Sequence, residues 1–361
     1  MAPFHRDLYG NPSGSHVVAR AAVRALDEAR ETIAGIVGAR PGEVIFTSGG
    51  TEADNQAVAG GMPPRSGVPV CSAVEHHAVL DVVEALGGRT VAVDRSGRVD
   101  LDALGNVLGE LGGTTSVVSV MLANNEVGVV NDLGPVAELL REFALDDQPI
   151  PLHTDAVQAA AWLDLREAAA SADMISLSAH KLGGPKGVGA LIVREPHTIR
   201  PLILGGGQER GRRSGTPGVG AIVGFATALA ALERDRERIN SHVAALRERF
   251  VAGLLESLED VTITVADAPV LPGTCHVCFG GADSEALLLL FEAAGVVASA
   301  GSSCSSGATE SSHVLRAMGV PEVLGRGAIR FSFGHDNDMA DIDQALAVIP
   351  GAVERAREFC S

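Results

Sequence analysis

Ser178-Ala179-His180-Lys181-Leu182-Gly183-Gly184-Pro185-Lys186-Gly187 holds both lysines of a chain with 28 basic residues; the other 26 are arginine. Surface charge is therefore carried by arginine, which neither deprotonates in a protein nor forms a Schiff base. A lysine amine kept in one glycine-rich stretch beside a histidine points to chemistry. Coding bias accounts for the scarcity of lysine but not for its clustering.

The segment ends an apolar run, Met174–Ser178, that reads as a strand. The same reading extends upstream. Glu43–Thr47, Val68–Ser72, Thr90–Asp94, Thr115–Ala123 and Ile150–Thr154 are short apolar runs. Helical patterns separate them, at 17–38, from Thr51, at 77–86, at 100–109 and at 133–143. Strands alternating with helices over 200 residues predict α/β architecture with a mostly parallel sheet covered on both faces. At 361 residues the chain exceeds what one core usually supports, so two domains are expected. The larger would span 10–235. A smaller α+β domain would span 236–361, with residues 1–9 packing near it. Gly218–Leu258 reads as a long connecting helix, broken near 234–240.

Composition narrows the function. A net charge of −17 disfavours non-specific binding to nucleic acid or to anionic membranes. No apolar run reaches the ~18 residues of a membrane span. Met1–Asp7 lacks the apolar core of a signal peptide. Five cysteines, an odd and sparse set, fit a reducing cytosol. With only 12 aromatic residues, the core is expected to be built from Ala, Val, Leu and Ile.

In parallel sheets, ligands sit at the carboxyl ends of the strands. Five such ends carry polar groups: Ser48-Gly49-Gly50-Thr51-Glu52, Glu75-His76-His77, Asn124-Asn125-Glu126, Asp155 with Gln158, and His180-Lys181. Ser48–Thr51 could present backbone amides to a phosphate, or be an ordinary helix cap. Asp155 could face a protonated ring nitrogen, or cap a helix. An amine, a phosphate cradle and a lone acid together suggest pyridoxal 5'-phosphate. Gln158 could then bond the ring oxygen, and one of the two histidines could lie over the ring, or both could serve surface polarity or capping. Arg330, a charge in the apolar run Ile329-Arg330-Phe331-Ser332, needs a partner; a substrate carboxylate or a structural ion pair would serve. Cys304 sits among small residues, Gly301–Gly307, and reads as an open, usable thiol or as a buried small residue beside a turn. Cys275-His276-Val277-Cys278 looks like a metal knuckle. As a strand it would turn its two thiols to opposite faces, so no metal site is expected.

These residues, in this order, resemble the cysteine desulfurases of the bacterial iron–sulfur-assembly and nitrogenase-associated type. The matching stretches include Tyr9–Ser13 with His16, Phe46–Asn55, Glu75–Leu80, Asn124–Gly128, Asp155–Gln158 and Ser178–Lys181. Gly205–Arg210, Arg213–Thr216, Gly301–Cys304 and Ile329–Ser332 extend the match. The resemblance implies the fold-type I, aspartate-aminotransferase-like architecture and a homodimer. It implies Lys181 as the Schiff-base lysine, His76 stacked on the ring, Asp155 at the ring nitrogen and Gln158 at the ring hydroxyl. Gly50, Thr51, Ser178 and His180 would hold the phosphate, with Thr216 reaching over from the partner subunit. Asn125 and Arg330 would hold the substrate carboxylate, and Cys304 would accept sulfur from L-cysteine as a persulfide. An acceptor protein, such as an iron–sulfur scaffold or a tRNA-thiolation enzyme, would then receive it. A selenocysteine lyase, another β-lyase and a truncated non-catalytic paralogue are the alternatives. Members of the family begin with a strand and a loop of the pattern Leu-Asp-Asn-Ala-Ala-Thr-Thr-Pro upstream of Gly-Asn-Pro-Ser. This chain has nine residues before Gly10. A missing loop would weaken substrate binding more than cofactor binding.

Overall fold

The computed structural model describes residues 1–60, 67–144, 149–301 and 312–360, with residue 360 described by its backbone only. The chain forms two compact units. Unit 1 comprises Met1–Ala92, Val99–Leu122 and Asn131–Arg236; unit 2 comprises Val93–Arg98, Ala123–Val130 and Glu237–Ser361. Residues 1–9, expected beside the smaller domain, fall in unit 1, and two short segments expected in the larger domain fall in unit 2.

Unit 1 is built on a seven-stranded sheet. Its strands are β1 (Val44–Thr47), β2 (Val68–Ser72), β3 (Arg89–Val91), β4 (Thr115–Ser119), β5 (Leu152–Asp155), β6 (Met174–Ser178) and β7 (Gly189–Val193). Their spatial order is β1-β7-β6-β5-β4-β2-β3. Pairings from β3 across to β6 are parallel, and only β7 runs the other way, antiparallel to both β6 and β1. The carboxyl ends of β1, β2, β4, β5 and β6 therefore share one edge, together with the start of β7. β1, β4, β5, β6 and β7 are buried along their whole length, as strands covered on both faces must be. Ile45, Cys71, Val117 and Leu191 pack there with Ala53 and Ala57 of the helix Gly50–Ala59.

β4 is shorter than the apolar run suggested. After Ser119 the chain leaves regular pairing, although Val120 and Leu122 still donate to the carbonyls of His153 and Asp155. The helix Val219–Ser257 runs unbroken for 39 residues. Residues 225–252 contain neither glycine nor proline, and Arg236 pairs with Asp164 and Glu233, so nothing local interrupts it.

Unit 2 carries an antiparallel sheet of order β10-β11-β9-β8, from β8 (Val261–Ile263), β9 (Thr274–Phe279), β10 (Ser299–Ala300) and β11 (Ala328–Ser332). Its core is more aromatic than composition suggested. Phe250, Phe279, Phe291, Phe331 and Phe333, half of the chain's ten phenylalanines, meet edge-on or tilted at centroid distances of 4.8–6.4 Å. Such geometry adds specific ring contacts to simple burial.

Candidate active site

The sheet edge in unit 1 gathers most of the residues singled out above. β5 ends in Asp155, β6 in Ser178, and the short turn Ala179–Leu182 carries His180 and Lys181. β1 leads through Ser48 and Gly49 into the helix Gly50–Ala59. A Cβ on Gly50 would lie 2.7 Å from Val157 Cγ2 and 3.5 Å from Ser178 Cβ, so this helix start abuts the ends of β5 and β6. Gly189 at the start of β7 completes the close fit. A Cβ there would meet the Leu177 carbonyl at 2.5 Å and the backbone of Gly49 at 2.7 Å.

Of the two readings of Ser48–Thr51, the ordinary cap is absent. The helix takes Gly49 as its N-cap, with no side-chain capping bond. Its first amides are therefore not taken up by a serine or threonine hydroxyl, which suits an anion. Thr51 is exposed, and the Ser178 hydroxyl lies 2.8 Å from His180 Nδ1. Burial, then the charges of Lys181 and Lys186, hold the His180 imidazole below its ordinary value.

Asp155 is buried, and one of its oxygens accepts from the Val157 amide at 2.8 Å. Burial pushes its acid up to about 6, while the Val157 amide and the Lys181 charge restrain the shift. Such a carboxyl gains from a cation placed against it, as a protonated pyridine nitrogen would be. Gln158 follows, half-buried. The amine, the uncapped helix start and the buried acid are thus the donor set that pyridoxal phosphate requires.

The adjacent histidines divide their tasks. His76 is the half-buried N-cap of the helix His77–Ala85, and its Nδ1 accepts from the Ala78 amide at 3.1 Å. Its Nε2 is then the protonated nitrogen of the neutral ring. His77 is exposed and pairs with Asp81 at 3.0 Å. Thr216 is exposed and lines a cleft of about 190 Å³ with Ser48, Gly187 and Arg213.

Unit 2 holds Asn125 and Arg330. An Arg330 terminal nitrogen donates to the Asn125 carbonyl at 2.8 Å, and its buried Nε has no hydrogen-bond partner among the described residues. An unpartnered guanidinium N–H suits a carboxylate ligand. Cys304 lies outside the described residues. Cys71, Cys275 and Cys278 are buried, and burial raises all three thiols, Cys275 to about 12. None of these three is a ready nucleophile.

A buried polar layer beneath Asp155 was not anticipated. Asp54 and Glu75 are both buried, and each is driven well up, first by burial and then by the Asp155 charge. His153 is wholly buried, bonded to Ser119 and Ser176 hydroxyls at 2.8 and 2.9 Å, and held down to about 3 by burial. The signal was present in Leu152-His153-Thr154-Asp155, where positions two apart share a face.

The class V aminotransferase family model matches residues 1–345. The chain is 43% identical over 371 aligned residues to an IscS-like cysteine desulfurase of Mycobacterium tuberculosis, covering 99% of this chain and 92% of that protein. It is 38% identical to the cysteine desulfurase NifS of Azotobacter vinelandii, covering 99% and 89%. Among solved structures, a NifS-like protein superposes with a TM-score of 0.88 at 33% identity, covering 98% and 94%. With its match to the family model nearly end to end, the chain belongs to the class V aminotransferases, in their group of NifS- and IscS-like cysteine desulfurases.

Proposed function

We propose that this chain binds pyridoxal 5'-phosphate through Lys181, takes sulfur from L-cysteine onto Cys304 and releases L-alanine. The observation that carries the reading is the meeting of buried Asp155, the uncapped Gly50 helix start and the Ser178–Lys181 turn at one sheet edge. Its membership of the cysteine desulfurase group supports the same reaction.

Bound there, pyridoxal phosphate supplies an electron sink for the substrate Cα. Gly50, Thr51, Ser178 and His180 hold the phosphate, and Thr216 of a second subunit completes the cradle in a homodimer. The Asp155 carboxylate holds the proton on the ring nitrogen. Gln158 bonds the ring oxygen. The Lys181 amine would remove the substrate Cα proton and return it. His76 stacks on the ring, and its Nε2–H stands as a donor to the substrate sulfur. Asn125 and Arg330 hold the substrate carboxylate. The Cys304 thiolate attacks the substrate sulfur, the Cβ–S bond breaks, and the sulfur stays on Cys304 as a persulfide. An acceptor protein, such as an iron–sulfur scaffold or a tRNA-thiolation enzyme, then takes it.

Alanine release from cysteine, with a dithiol present, tests the reading in wild type, K181A and C304A. Wild type should release alanine, and neither variant should sustain the wild-type rate. Equal turnover in C304A would refute the persulfide role and favour a lyase that needs no thiol.

A further inference from the structure

Glu52 poses an electrostatic problem. It lies in the first turn of the helix Gly50–Ala59, next to Thr51, where the phosphate of the cofactor is proposed to bind. A free carboxylate there would repel a phosphate dianion. The structure places a specific answer against it. Arg213 Nε donates to Glu52 Oε1 at 2.8 Å, and a terminal nitrogen donates to Oε2 at 3.2 Å. The Ser48 amide also donates to Oε2, at 2.8 Å. The two side chains are only 21% and 12% exposed, so this is not a loose surface pair.

Arg213 is itself held from both sides. The Gln56 amide donates to the Arg212 carbonyl at 2.7 Å, and Gln208 accepts from the Gly215 amide at 2.8 Å. Two residues past Arg213, Gly215 has φ +113°, a backbone state that side chains rarely adopt, and Thr216 follows it. The fork thus joins the start of the phosphate helix to the Gly205–Thr216 segment within one unit.

We propose that Arg213 is a positioning residue for the cofactor phosphate: by forking onto Glu52 it neutralises the acid in the first turn of the phosphate helix and fixes the turn from which Thr216 would reach the second subunit's cradle. Burial alone would raise the Glu52 acid, yet Arg213 and Ser48 together hold it below its ordinary value, so it is the charged form that Arg213 masks. The proposal rests on the phosphate-cradle reading given above.

Titration of the cofactor-free full chain with pyridoxal phosphate and with pyridoxal tests it, since the two ligands differ only by the phosphate. Wild type should prefer pyridoxal phosphate. Arg213→Gln should lose about tenfold or more in affinity for pyridoxal phosphate, the factor that about 1.4 kcal/mol of unmasked repulsion produces. Its affinity for pyridoxal should stay within about twofold, well under the tenfold that such an energy would produce. Arg213→Lys, which keeps the charge but not the fork, should fall between, and serves if the glutamine variant does not fold. Glu52→Gln combined with Arg213→Gln should recover most of the loss. Equal losses for both ligands, or no recovery in the double variant, overturn the proposal; the latter would make Arg213 a direct phosphate ligand. A wild type without preference for the phosphorylated ligand would overturn the cradle reading itself.

Discussion

Asp155→Asn should stabilise the cofactor-free chain. The buried carboxyl is pushed from an ordinary value of 3.8 up to about 6. Between those values the folded chain holds a proton that the unfolded chain has released. Stability therefore falls as pH rises through this window, and the loss is complete above about pH 6. A shift of roughly two units corresponds to about 3 kcal/mol. Asparagine can keep the 2.8 Å bond from the Val157 amide without the charge. It also relieves the like-charge pressure that Asp155 exerts on Asp54 and Glu75. Wild-type slopes alone would mislead, because His153 and His276, each held down to about 3 by burial, lose stability in the opposite direction as pH falls. The difference between variant and wild type cancels the histidines and leaves Asp155 together with the relief it gives Asp54 and Glu75. Denaturant unfolding followed by Trp162, the sole tryptophan and a residue of unit 1, reads it directly. The variant should match wild type near pH 4 and exceed it by about 3 kcal/mol at pH 8. A variant equal to or weaker than wild type at pH 8 would refute the argument that Asp155 is a strained acid awaiting a cation.

Glu209→Gln should cost about 3 kcal/mol or more, because Glu209 accepts two bonds from Arg30 and one from the Phe46 amide, and its loss leaves a largely buried guanidinium short of its counterion; thermal unfolding checks this. Gly189→Ala should lower stability by about 1–3 kcal/mol and weaken pyridoxal phosphate binding, since the new methyl meets fixed backbone at Leu177 and Gly49. A denaturation curve and a cofactor titration measure the two effects separately.

The parallel core was legible because short apolar runs alternate with helical patterns, and the shared strand-end edge follows once those runs pair. Asp155 and Lys181 lie at ends that periodicity alone could place. The Arg213–Glu52 and Arg30–Glu209 pairs were not legible, since 161 and 179 residues separate their members. No local pattern marks a charge whose partner arrives only through tertiary packing. The unbroken 39-residue helix departs from the expected break for a related reason: length argues for a break, but no residue in its middle supplies one. The aromatic core of unit 2 was hidden by averaging, because few aromatics overall became many in one place.

On the proposed reading, one of the two lysines carries the cofactor. Incubation with pyridoxal phosphate, borohydride reduction and peptide mapping by mass locate the trapped group directly. A pyridoxyl adduct should form on Lys181 and none on Lys186. An adduct on Lys186, or no adduct on either lysine, would contradict that reading.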